Sequence, residues 1–107
     1  MEKVLTPSVG TKLKLNVHAD VGSGLHMSDV EFECMFYTNN ASRRSLTVKK
    51  SEMAKVDDDN YIAVVDTAVV GAGGYMMKFS AYVPDSDCEG GYRLEVVRVD
   101  TGIPVKP

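Results

Sequence analysis

Residues 29–38, DVEFECMFYT, carry the clearest hydrophobic period in the chain. Val30, Phe32, Cys34 and Phe36 alternate with Glu31, Glu33, Met35 and Tyr37. A period of two puts the first set on one face and the second on the other, which is the pattern of a half-buried strand and not of a helix. The same period recurs outward in both directions. In TKLKLNVH, Leu13, Leu15 and Val17 alternate with Lys12, Lys14, Asn16 and His18; in YMMKFSAYV, Met77, Phe79, Ala81 and Val83 share a face opposite Lys78, Ser80 and Tyr82. RSLTVKK is shorter, with Leu46 and Val48 directed inward. NYIAVVD is β-branched and is expected to be covered on both faces, whereas YRLEVVRV loses its alternation at Val96–Val97, where a bulge or a change of layer is expected.

Turn signals separate these runs: VGSG, TNNASR, VDDDN, GAGG, PDSDCEGG and DTGIP. Two stretches fit a single helical turn, KSEMAKV with Ser51 as cap and DTAVVG with Asp66 or Thr67 as cap and Gly71 as stop. Six or seven strands with no helix long enough to form a layer predict an all-β, immunoglobulin-like antiparallel β-sandwich of about seven strands with one or two short helical turns. The expected core is Leu13, Leu15, Val17, Val30, Phe32, Phe36, Val48, Ile62, Val64, Phe79, Ala81 and Leu94.

The 107 residues, 44% hydrophobic and 25% charged, fit one domain spanning 1–107 that buries a core without staples. A net charge of −3 opposes nucleic-acid binding, and the two basic pairs, Arg43–Arg44 and Lys49–Lys50, read as solvated strand ends. No run approaches the ~18 apolar residues that cross a bilayer, so no membrane partner is expected. The N-terminus begins with Met, has no apolar stretch of signal-peptide length and reads as an unprocessed product. Two widely spaced cysteines, Cys34 and Cys88, fit a reduced compartment, with a bridge between them left open because both flank strands.

PDSDCEGG, with three acidic residues, a cysteine and two glycines, is the most chemistry-like segment of the chain. Asp85, Asp87, Glu89 and Gly90 match the first half of a Ca²⁺ loop, but the twelfth position, where the bidentate Glu belongs, is Val96. A turn is the better reading: Pro84 ends a strand, Asp85 or Ser86 caps the turn, and Gly90–Gly91 supplies its dihedrals. Asp57, Asp58 and Asp59 read as a solvated turn, and His18 and His26 lack a third ligand nearby. No nucleophile elbow, P-loop, dinucleotide fingerprint or CxxC is present, so no catalytic, cofactor or metal residue is assigned and no enzyme is expected.

The run KKSEMAKVDDDNYIAVVDT, followed by GGYMMKFSAYVPDSDCEGGYRLEVVRVDTGI, resembles small β-sandwich virion modules of phages and prophages of gut anaerobic bacteria, crAss-like phages among them. The likeness covers about residues 45 to 103 and rests on fold-type signatures. It implies a non-enzymatic head-fibre base, capsid accessory or fibre-attachment protein, located in the virion after synthesis in the host cytoplasm, with phage capsid or fibre proteins as partners and a homo-oligomer as the assembled form. The chain lacks the coiled-coil or shaft sequence of a long fibre, which favours an adaptor or accessory role. Contacts are expected at the extended segments 1–10 and 103–107, through Val4, Leu5, Val9, Ile103 and Val105, and at Tyr37, Met76 and Tyr82. The alternative reading is a bacterial carbohydrate-binding or adhesion module, weakened by the absence of Trp and by 7% aromatic content.

Overall fold

The structure is a computed structural model, and it describes residues 6–22, 24–39 and 44–107. Seven strands form two antiparallel sheets. In chain order they are β1 (Lys12–His18), β2 (Glu31–Thr38), β3 (Ser45–Lys49), β4 (Ala54–Asp57), β5 (Asn60–Asp66), β6 (Gly73–Pro84) and β7 (Tyr92–Val105), with one helical turn, α1 (Thr67–Val70), between β5 and β6. One sheet has the order β1-β5-β4 and the other β3-β2-β6-β7. This is the connectivity of an immunoglobulin-like sandwich, without a strand beside β1 among the described residues. The segment that would supply that strand touches the other sheet instead. Ser8 bridges Lys106 in parallel, Val9 N–H donating to Lys106 O and Lys106 N–H to Pro7 O, both at 2.9 Å.

The interior follows the alternation of β2 and β6. Val30, Phe32, Cys34 and Phe36 are buried, as are Phe79, Ala81 and Val83, and Leu13, Leu15, Leu46 and Met77 pack against them. Phe32 joins the layers: its ring meets Tyr61 of the opposite sheet edge-on at 5.1 Å and lies 5.4 Å from Phe79. Lys50 Nζ stands 5.7 Å over the same ring and donates to Val30 O at 2.7 Å, clamping the entry to β2.

The corner between β5 and β6 is tightly specified. The Asp66 side chain accepts from Ala68 N–H at 3.0 Å, capping α1, and Gly71 ends it at φ 92°, a left-handed value that favours glycine. Thr67, fully buried, donates its hydroxyl to Thr11 O at 2.6 Å and accepts from Gly10 N–H at 2.9 Å, tying the corner to the start of β1. Tyr75, also fully buried, donates its hydroxyl to Gly71 O at 2.7 Å. A Tyr at the start of this strand, bonded back to the preceding turn, is the tyrosine corner of immunoglobulin-like sandwiches.

Four expectations are corrected. In β5 the buried residues are Tyr61, Ala63 and Val65; Ile62 is half-buried and Val64 is 47% exposed, so the strand is covered on one face only. Leu94 is exposed and lies outside the core. No bulge occurs at Val96–Val97, because β6 and β7 stay in register from Pro84↔Tyr92 to Met76↔Asp100. The shift comes later, opposite Gly74–Met76, where Gly102 adopts φ 70° and Thr101 Oγ1 donates to Tyr75 O at 2.8 Å. The stretch KSEMAKV forms the expected helical turn, a 3₁₀ turn at Lys50–Glu52, but its N-cap is Lys49 and Ser51 lies within it; β4 follows, a strand too short and too exposed for its period to register.

Candidate interaction surface

The two sheets are unequal, and that inequality makes the most distinctive surface of the molecule. A three-stranded sheet cannot cover a four-stranded one. Cross-strand register places Cys34, Phe79 and Val97 in one inward row, and Phe36, Met77 and Val99 in the next. Along these rows Cys34 and Phe79 are buried while Val97 and Val99 are 51% and 41% exposed. Covering by the opposite sheet ends over β6. The far edge strand, β3, is protected, since its inward Val48 is buried.

Among the described residues, the Tyr92–Asp100 stretch of β7 is therefore uncovered on three sides. Tyr92, Leu94 and Val96 point to the outer face, Val97 and Val99 to the inner, and all five are 41–59% exposed. Its outer edge has no strand partner among the described residues until the parallel bridge at Lys106. Edge strands are guarded by Pro, Lys, inward-pointing charges or a bulge; Tyr92–Asp100 contains neither Pro nor Lys and is unbroken in register, and its inward charges, Arg93 and Glu95, sit at the hairpin end. Two adjoining clefts of about 300 and 230 Å³ run beneath it, floored by Phe79, Ala81 and Met77 and walled by Val97 and by Ala19–Asp20. They lie on the flank where β1 has no strand beside it among the described residues.

Of the four charged residues of β7, Arg93 and Glu95 are paired at the hairpin end, while Arg98 and Asp100 lie further along the outer face. Arg93 donates from Nε to Glu95 Oε1 at 2.7 Å and from Nη1 to Asp85 Oδ2 at 2.8 Å, so these groups neutralise one another at the hairpin end. The Asp85 carboxyl lies below its usual range because the Asp87 N–H donates to it and Arg93 faces it. PDSDCEGG is thus a turn: Asp85 Oδ1 accepts from Asp87 N–H at 2.9 Å, and Gly90 and Gly91 have φ 83° and 80°. Cys88 in this turn and Cys34 in β2 are both free thiols.

The sequence-derived contact residues fall into three groups. Tyr37, Met76 and Tyr82 lie on the outer face of the sheet that ends in β7, in rows with Asp100 for the first two and Leu94 for the third. Val9 is exposed beside the end of β7, and Ile103 is half-buried within it. Val105 is 3% exposed and belongs to the core, which corrects its reading as part of a free contact segment: Ile103–Val105 are strand, with Val105 opposite Gly73. Val4 and Leu5 lie outside the described residues. Sequence reading missed the central stretch of β7 because apolar residues in both phases read as burial.

A second cluster draws together residues distant in sequence. Asp59 accepts from Met27 N–H at 3.2 Å and pairs with His26 Nδ1 at 2.9 Å, while its backbone carbonyl meets His18 Nδ1 at 2.8 Å. Ser28 Oγ donates to Asp58 at 3.1 Å. The acidic turn is therefore a dock for the segment before β2, and not merely solvated. The hydrogen bond that the His26 imidazole donates to the Asp59 carboxylate raises the pKa of His26 above 6.5 and lowers that of Asp59. Among the described residues no group of three His, Cys, Asp or Glu is arranged to hold a metal ion, and no helix is long and apolar enough to cross a membrane. No family model, curated protein or solved structure matches the chain.

Proposed function

We propose that this protein is a non-enzymatic structural component of a phage virion, a head-fibre base, capsid accessory or fibre-attachment protein that works through protein–protein contacts. The observation that carries the contact role is β7, apolar and exposed on both faces and along one edge. Apolar surface of this kind gains free energy when another chain removes it from water, and an open strand edge offers backbone hydrogen bonds to the same partner. The outer face extends the surface through Tyr82, Met76 and Tyr37. The virion assignment rests on the resemblance of residues 45 to 103 to phage modules.

Mass spectrometry of gradient-purified particles tests this reading, together with binding of the purified chain to separated capsid and fibre proteins. The expected result is a fixed copy number per particle and saturable binding to one of these proteins. Absence from particles, combined with binding to glycans on an array, would overturn it in favour of a carbohydrate-binding module.

A further inference from the structure

The open edge of β7 has a register that suits itself. We propose that two copies of this chain pair β7 against β7 in antiparallel fashion across a two-fold axis at Val96, joining their four-stranded sheets into one continuous sheet of eight. This rests on the contact role proposed for β7 and names the occupant of its edge.

The free segment is bounded by the turn at Gly90–Gly91 and by the irregularity after Asp100, leaving nine residues, Tyr92 to Asp100, in unbroken register. An occupant that satisfies a strand edge must itself be a strand. Among the described strands, β7 offers the longest open edge, with apolar residues exposed on both faces, so pairing with itself removes the most apolar surface per contact. A two-fold axis normal to the sheet keeps each residue on its own face, so only positions of equal parity can face each other.

Few registers meet that condition without a charge conflict. Centring on Glu95 or Arg98 sets like charges directly opposite, which is destabilising. Centring on Val97 pairs only Leu94–Asp100 of the free segment and centring on Leu94 only Tyr92–Val96, whereas Val96 is its midpoint and pairs all nine residues. Centring on Val96 faces Val96 with Val96, Leu94 with the aliphatic stem of Arg98, and Tyr92 with Asp100 on the outer side. On the inner side Glu95 faces Val97 and Arg93 faces Val99, and the Arg93–Glu95 pair neutralises each copy on its own strand. The contact is a strip ~30 Å long and ~10 Å deep on each copy, about 600 Å² in total, which is below the range of stable specific interfaces and in that of weak, transient ones. The dimer is accordingly weak, forming only as the concentration approaches about 1 mM, and it leaves the outer-face residues Tyr37 and Met76 for a different partner.

Sedimentation of the full chain up to about 1 mM tests the pairing, with Val96→Lys as the disrupting variant and its thermal melt as the check on folding. Val96 is exposed, so the variant is expected to fold and to remain monomeric where the wild type dimerises. Register is read in a Cys88→Ser background. Val96→Cys should be joined by a thiol-reactive linker, because residues facing each other across the axis have Cβ atoms ~5 Å apart. Leu94→Cys should not be joined by a linker shorter than its ~13 Å offset along the strands. A monomer at the highest concentration, a dimer unaffected by Val96→Lys, or equal linking at both positions would overturn the proposal. Incorporation of the Val96→Lys protein into particles at wild-type copy number would overturn self-pairing as the assembled form while leaving the virion role standing; absence of the wild type from particles would overturn the virion role whatever its oligomeric state.

Discussion

Replacing Tyr75 by Phe tests whether the corner between β5 and β6 holds the sandwich in register. The substitution keeps the ring, so no cavity opens, and it deletes only the hydroxyl that donates to Gly71 O at 2.7 Å. Tyr75 is fully buried, and the carbonyl it satisfies ends α1. A lost hydrogen bond of this kind costs about 0.5–1.5 kcal/mol, rising toward 1–3 kcal/mol when the orphaned partner is kept from water. Gly71 is half-buried, so water reaches its carbonyl in part, and about 1–2 kcal/mol is expected. For a chain of this size that lowers the melting midpoint by roughly 5–10 °C, and urea unfolding should show the same loss at an unchanged m-value. Tyr82→Phe, on an exposed position, is the control and should leave stability unaltered. A Tyr75→Phe protein within about 0.3 kcal/mol of wild type would refute the corner as a structural lock.

The remaining expectations concern thiols, pH and ions. Burial pushes the Cys34 thiol up to about 12, so only Cys88 should react with a thiol reagent in the native protein and both in urea; rapid native labelling of two thiols would contradict the packing of β2. The raised His26 stabilises the fold fully below its unfolded pKa of 6.5, and that contribution disappears as pH rises through the higher folded value; the lowered Asp59 contributes above 3.8 and loses this as pH falls through its folded value. Melting measured from pH 4 to 9 should therefore show a contribution centred between these limits that Asp59→Asn abolishes, and an unchanged profile in that variant would be evidence against the pair. Chelation should leave the melting midpoint where it is; a drop in EDTA reversed by Ca²⁺ would make PDSDCEGG an ion site after all.

Much of the sandwich was legible because its central strands are half-buried. In β2 every second residue meets the opposite sheet, and the sequence alternates accordingly, from Val30 to Phe36. The cap at Asp66 and the stop at Gly71 were legible for the same local reason, since helix ends need those side chains wherever they occur. The phase of β5 was not: Ile62, Ala63, Val64 and Val65 are apolar in both phases, so only the packing of Tyr61 against Phe32 reveals which face is inward. Leu94 and Val96–Val97 misled in the opposite direction. Apolar character records either burial in the fold or burial against another chain, and a single sequence does not separate the two. The signal that was present for the corner, a Tyr directly after a capped turn and at the head of an alternating strand, lies in TAVVGAGGY.

Amide hydrogen exchange measures directly whether β7 is, as proposed, a contact surface in an assembled particle. In the isolated chain at dilute concentration, the amides of Tyr92–Asp100 that point away from β6 should exchange rapidly, while those of β2 remain protected. In purified particles the same β7 peptide should become strongly protected, with β2 unchanged. Equal exchange of β7 in the free and particle-bound states would contradict the account.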